Sequence, residues 1–154
     1  MFFYVLISSL LVAVTVIIHA FGSTLVLRYL AWQRVGADAV MSTLRVSRIL
    51  IGTVLLLVVL HVVEIMIWAL AYRNLLPDSE LQSFEEAVYF SFVTFTTLGY
   101  GDISLTGVWR VMSGVEALNG ILLVGWSTAT LFAVVQRVWQ SRYKHIGHAG
   151  DQNT

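Results

Sequence analysis

The polar and apolar positions of this chain fall into long blocks. No charged side chain occurs from Phe2 to Leu27; a second apolar run, Ile49 to Tyr72, is broken only by His61 and Glu64, and a third, Val111 to Val138, only by Glu116 and Arg137. At ~1.5 Å of rise per residue, runs of this length reach across the ~30 Å hydrocarbon core of a bilayer. The pattern predicts three transmembrane helices and an all-α membrane protein. A cleaved signal peptide is a poor account of the first run, which lacks a positive leading segment and is too long.

Between the second and third runs the pattern changes. Arg73 to Gln82, with Pro77, Asp78 and Ser79, reads as a polar loop, and Ser83-Phe84-Glu85-Glu86 then forms a capping box in which Ser83 can accept from the Glu86 amide. The spacing predicts a short helix over residues 84–96, apolar nearly all round and therefore buried among other helices. About 13 residues make only ~19 Å, too short to cross. A helix that enters the bilayer and ends there must hand over to irregular backbone, tolerated at that depth only where protein buries it or water lines it. The chain that follows is Thr96-Thr97-Leu98-Gly99-Tyr100-Gly101-Asp102. Successive carbonyls can point to one side only if alternate residues adopt conformations that a Cβ penalises, and Gly99 and Gly101 adopt them cheaply. One chain then offers a row of oxygens; four chains around an axis offer rings that can replace the water shell of a cation. The negative C-terminal end of the short helix adds to that preference.

Composition narrows the function classes. Of 154 residues 58% are hydrophobic and 12% charged, with net charge +0, which fits a lipid bilayer as the surrounding partner and argues against nucleic acid. The chain has no cysteine, so disulfides and thiolate chemistry are excluded. Arg28, Arg34, Arg45 and Arg48 lie between the first two spans, and Arg137, Arg142 and Lys144 follow the third, while Arg73 and Arg110 flank the remaining connection. The positive-inside rule therefore places the N-terminus outside and the C-terminus in the cytoplasm. Trp32, Trp139 and Tyr143 are expected in an inner aromatic belt, and Trp68, Tyr72 and Trp109 in an outer one.

The 96–102 segment resembles the signature of potassium channels, whose filter has the closely similar form T-V-G-Y-G. The resemblance covers roughly residues 49 to 139 and includes Trp109, shortly after Asp102. It implies a homotetramer in a cell membrane of the bacterial inner-membrane type, conducting K⁺ passively, with no catalysis and no organic cofactor. On this reading residues 1–28 are an N-terminal transmembrane helix, 29–48 a cytoplasmic loop, 49–139 the pore domain and 140–154 a cytoplasmic tail. Within the pore domain the pore helix is re-entrant over 84–96, the selectivity filter is 97–102 and the inner helix is 109–139. The resemblance assigns K⁺ to the backbone carbonyls of Thr97, Leu98, Gly99 and Tyr100 and to the Thr97 hydroxyl. Gly101 and Asp102 support the filter, and Tyr89 and Phe90 stand where many relatives carry a tryptophan pair.

Three departures from the family pattern stand out. Leu98 replaces the usual β-branched residue, no span carries arginine at every third position as a voltage sensor would, and the tail is too short for a ligand-binding domain. A non-selective monovalent cation channel, or a subunit that works only with other chains, fits the same residues.

Two carboxylates lie outside the motif. Glu64 and Glu116 fall at similar depth, ~10 to 12 Å below the outer boundary, with His61 one turn from Glu64. A carboxylate there needs partners, and Ser91, Thr94 and Thr96 of the short helix are within reach, so both are expected to brace that helix from behind or to face a water-filled crevice. A transporter or membrane enzyme built on His61, Glu64 and Glu116 lacks the supporting signals: there is no nucleophile–base pair, no phosphate loop and no inverted repeat. Gly120 and Gly125 of the third span serve either as a hinge or as sites of close helix packing, as does Gly114. His145 and His148 read as solvated tail residues, and Arg34 to Arg48 as a loop or an interfacial lipid-binding helix.

Overall fold

A computed structural model describes residues 2–32, 42–77 and 79–150, the last ten of them as backbone only. The first part of the Arg34–Arg48 stretch, Asp78, the side chains of His145 and His148, and residues 151–154 lie outside the described residues. Four helices follow in order: α1 Phe2–Trp32, α2 Thr43–Leu75, α3 Phe84–Phe95 and α4 Trp109–Gly150. Three stretches are long and apolar enough to cross a membrane, Phe2–Trp32, Thr43–Leu75 and Trp109–Gln140.

The helices outrun their apolar blocks. α1 passes Arg28, α2 begins six residues before Ile49, and α4 runs on through the basic segment after residue 139. Both ends of the expected 29–48 loop, residues 29–32 and 43–48, are therefore helical. A charged side chain ends a hydropathy run without ending a helix: Arg, Leu, Gln and Ala are good helix formers, and long basic side chains carry their charge out to water.

α3 starts as its capping box predicts. Ser83 has extended backbone and its hydroxyl accepts from the Glu86 amide at 3.1 Å, while Glu86 Oε2 accepts from the Gln82 amide at 2.7 Å. The second carboxylate contact thus reaches one residue further back than the usual capping box.

Contacts sort the helices into two units. The first combines Met1–Ala20 with Val59–Gly125, and its core includes Ile65, Trp68, Tyr72, Phe90, Phe95 and Met112, all buried. Lipid is as apolar as these side chains, so their burial supplies close packing with little hydrophobic gain, and polar contacts select the register. Ser91 of α3 donates to the Ile65 carbonyl of α2 at 3.0 Å, and Asn119 Nδ2 of α4 donates to Thr15 Oγ1 of α1 at 2.9 Å. In the second unit, Phe21–Val58 with the chain from Trp126 onward, Val26, Leu30, Ile49, Val134 and Val138 form the core.

Two aromatic expectations change. Trp68 and Tyr72 are wholly buried in the core and do not belong to an outer belt, because the face of α2 that carries them packs against protein. Trp109 is half-buried with its ring 4.5 Å from that of Tyr4, whereas Trp32 and Trp139 are exposed.

Candidate functional site

The end of α3 builds the site. Thr96 caps the helix, Thr97 follows at φ 58°, the Thr97 amide donates to the Thr94 carbonyl at 2.9 Å and the Leu98 amide to the Val93 carbonyl at 2.9 Å. These two bonds and the left-handed residue define a Schellman ending. Glycine usually takes the left-handed place, since any L-residue there costs ~1–2 kcal/mol. A β-branched threonine in that place is an outlier.

Beyond the cap the alternation continues. Gly99 has φ 59° and Gly101 φ 79°, while Leu98 and Tyr100 between them stay out of the left-handed region. The Gly99 amide also turns back, to the Val93 carbonyl at 3.3 Å. With the amides of Thr97, Leu98 and Gly99 committed to α3, no hydrogen bond is recorded among the described residues to the carbonyls of Thr97, Leu98, Gly99 or Tyr100. Leu98 and Tyr100 are 56% and 67% exposed on the single chain. A groove of about 490 Å³ adjoins the segment, lined by Thr97, Gly99, Gly101, Ile103, Arg110 and Ser113 among others.

Side chains hold this backbone from three directions. The Tyr89 hydroxyl donates to Asp102 Oδ2 at 2.6 Å, tying α3 to the far end of the segment. That bond holds the Asp102 carboxyl below the usual carboxylate range and raises the Tyr89 phenol. Phe90, the other expected aromatic support, is buried, lines the groove beside the segment and sets its ring edge-on to Tyr72 at 5.2 Å. Glu80 makes a second tie: one carboxylate oxygen accepts from the Thr106 amide at 2.9 Å and the other from the Thr106 hydroxyl, joining the loop before α3 to the loop before α4.

The third support lies behind α3. Glu116 Oε1 is 2.5 Å from Ser91 Oγ, and its Oε2 accepts from the Tyr72 hydroxyl at 2.6 Å, so one buried carboxylate links α2, α3 and α4. Glu116 thus reaches Ser91, one of the α3 hydroxyls expected as its partners. Glu64 does not: its hydrogen bonds go to His19 Nδ1 of α1 and His61 Nδ1 of α2, each at 2.9 Å, and no bond from Glu64 to Ser91, Thr94 or Thr96 is recorded. The reason is local. Ser91 is already taken by Glu116 and the Ile65 carbonyl, Thr96 donates to the Phe92 carbonyl at 2.7 Å, and His19 enters from a helix whose polar partner no motif announces.

Gly120 resolves as a packing residue. A Cβ built on it would stand 1.9 Å from the Phe95 carbonyl oxygen, so the backbones of α3 and α4 touch there. Gly114 and Gly125 have nothing within 4 Å of such an atom, and α4 is one continuous helix through all three positions.

Sequence reading missed His19, Tyr72 and Glu80 as structural partners. The buried positions Ser8, Thr15, His19 and Ser23 follow helical spacing on α1 and gave the available signal for His19: polar groups on one stripe of an apolar helix face protein.

A family model described as ion channel matches residues 59–137, just over half of the chain, and the chain belongs to that ion-channel family. The match begins within α2, spans α3 and the segment after it, and ends within α4. With its three long apolar helices the chain is a multi-pass membrane protein. No curated protein and no solved structure gave a match.

Proposed function

We propose that the chain is the subunit of a homotetrameric K⁺ channel in a cell membrane, with α3 as the re-entrant pore helix and Thr97–Asp102 as the selectivity filter. The observation that carries this reading is the alternation of left-handed backbone at Thr97, Gly99 and Gly101 after a capped helix too short to cross. Such an alternation directs successive carbonyls to a common side, and the amides of Thr97, Leu98 and Gly99 are already spent on α3. Four such rows around an axis give stacked rings of carbonyl dipoles of the kind that strip and hold K⁺. The strained Thr97 supports a role for its hydroxyl, because glycine would satisfy the cap at lower cost and leave the site one ligand poorer.

Neighbouring copies also account for the exposed surface. Leu98, Tyr100 and the groove beside the segment give an adjacent subunit apolar and polar area to cover. Tyr89 with Asp102, Glu80 with Thr106, and Glu116 with Ser91 and Tyr72 then hold the filter's shape from outside the ion path. The connection between α2 and α4 faces outward and the basic C-terminal end of α4 faces the cytoplasm, following the distribution of basic residues.

Reconstitution of the purified chain, with Gly99→Ala beside it, tests the reading. K⁺ currents are expected from the wild type alone and lost in Gly99→Ala, since the added Cβ opposes φ 59° at a place where copies meet. Unchanged K⁺ selectivity in Gly99→Ala would show that these carbonyls are not the coordinating groups.

A further inference from the structure

The cluster around Glu64 lies outside the Thr97–Asp102 segment and is the most chemically specific group of side chains there. Glu64 Oε1 lies 2.9 Å from His19 Nδ1 and Oε2 2.9 Å from His61 Nδ1, and the three donor atoms fall within 4.8 Å of one another. His61 and Glu64 share one face of α2 by their three-residue spacing, and His19 reaches them from α1. The two imidazole rings stack at 5.3 Å. Glu64 and His19 have fully buried side chains, while that of His61 is 18% exposed, leaving one approach to the cluster.

We propose that His19, His61 and Glu64 form a transition-metal site, of Zn²⁺ type, that clasps the N-terminal helix to the pore domain. The donor set decides the metal class. Two imidazole nitrogens and one carboxylate oxygen are the ligands of three-point zinc sites, which keep a fourth position open for water or an anion; Mg²⁺ and Ca²⁺ prefer oxygen throughout. The charge balance favours a cation as well. The ion pairs recorded for Glu64 among the described residues are with these two histidines, not with lysine or arginine. A carboxylate at membrane depth is costly without compensation. A divalent ion with one carboxylate and one bound anion is neutral as a unit.

The fit asks for adjustment on each edge, since the donor atoms span up to 4.8 Å and the widest pair must draw together. Tetrahedral ligands at ~2.0–2.1 Å from zinc stand about 3.4 Å apart, so the 2.9 Å N···O separations must open by about half an ångström. The site also touches the filter's support: the His61 ring is 5.9 Å from that of Phe95, the last residue of α3. Bound metal would thus stiffen the junction of α1, α2 and the end of α3, which gives the N-terminal span a purpose beyond anchoring.

The sequence makes the test clean, because the chain has four histidines and no cysteine. In a His145→Ala/His148→Ala background the cluster holds the only imidazoles left. The assembled protein in detergent is titrated with Zn²⁺ against a chromophoric chelator and, separately, with Co²⁺ while the visible spectrum is read. One Zn²⁺ per chain, tetrahedral Co²⁺ absorption, and a raised unfolding midpoint with Zn²⁺ are expected. His61→Ala and Glu64→Gln should each weaken Zn²⁺ binding by about 10-fold or more, as losses even around the ligand shell do. His61→Ala is the deciding variant, because it removes the partly exposed member and leaves the buried His19–Glu64 bond in place. No stoichiometric Zn²⁺ binding in the background protein, or unchanged binding in His61→Ala, would overturn the site and leave a hydrogen-bonded cluster alone. Neither readout depends on ion conduction, so failure here is distinct from failure of the channel assignment.

Discussion

Replacing Thr97 with glycine should separate stability from function. Thr97 holds φ 58° at the place in the helix ending that glycine normally fills. Left-handed backbone costs a non-glycine residue ~1–2 kcal/mol, and glycine returns about 0.5–1 kcal/mol of that through its greater freedom in the unfolded chain. Thr97→Gly should therefore be neutral to stabilising by up to about 1.5 kcal/mol per chain, with the bonds from the 97 and 98 amides kept. The hydroxyl is lost, and glycine widens the backbone freedom of the segment where ions are held. Thermal unfolding of the purified protein and K⁺ flux into liposomes are measured on the same preparation. An unfolding midpoint equal to or above wild type, with impaired flux or ion discrimination, is expected. A clearly lowered midpoint would show that the threonine is a structural cap, and unaltered flux and discrimination would remove its hydroxyl from the site.

Three further substitutions probe the supports. Gly120→Ala sets a Cβ 1.9 Å from the Phe95 carbonyl oxygen, where ordinary contact starts at 3.4 Å; overpacking of this kind should cost about 1–3 kcal/mol per chain, whereas Gly125→Ala, with nothing within 4 Å, should melt like wild type if that position only packs loosely. Glu116→Gln, which keeps an acceptor for Tyr72 or Ser91, should be mild beside Glu116→Leu, which strands the Tyr72 hydroxyl at about 1–3 kcal/mol while Ser91 keeps the Ile65 carbonyl; equal melting of the two variants would remove the brace. Tyr89→Phe should flatten the acid sensitivity of the outer end: the depressed Asp102 carboxyl contributes stability that is present above the ordinary carboxylate range and lost as pH falls through its lowered value, so without the Tyr89 hydroxyl that contribution should shrink, giving a lower midpoint at neutral pH and a smaller drop on acidification in a pH series of melting.

The three apolar helices, the capped short helix and the left-handed backbone at Gly99 and Gly101 were all legible in the sequence because each rests on local chemistry: apolar length, a Ser-x-x-Glu cap, and residues without Cβ at alternate places. What failed was pairing across helices. Glu64 and Glu116 look alike by depth, yet one meets α3 and the other α1, a choice set by which face of α4 and α1 comes forward and by Gly120 allowing α3 to approach. His19 lay unread in an apolar run because hydropathy averages over faces; the helical spacing of Ser8, Thr15, His19 and Ser23 carries the information that the average discards. Trp68 and Tyr72 were misplaced for a related reason, since aromatic residues near a helix end serve an interface or a core equally well and only the neighbouring α3 and α4 decide.

The central claim, that stacked carbonyls of Thr97 to Tyr100 select K⁺, is met most directly by the reversal potential of the reconstituted wild-type protein with K⁺ on one side of the bilayer and Na⁺ on the other. The account predicts a potential strongly displaced in the direction of K⁺ permeation. A reversal near zero would contradict it and make the protein a cation channel without K⁺ preference.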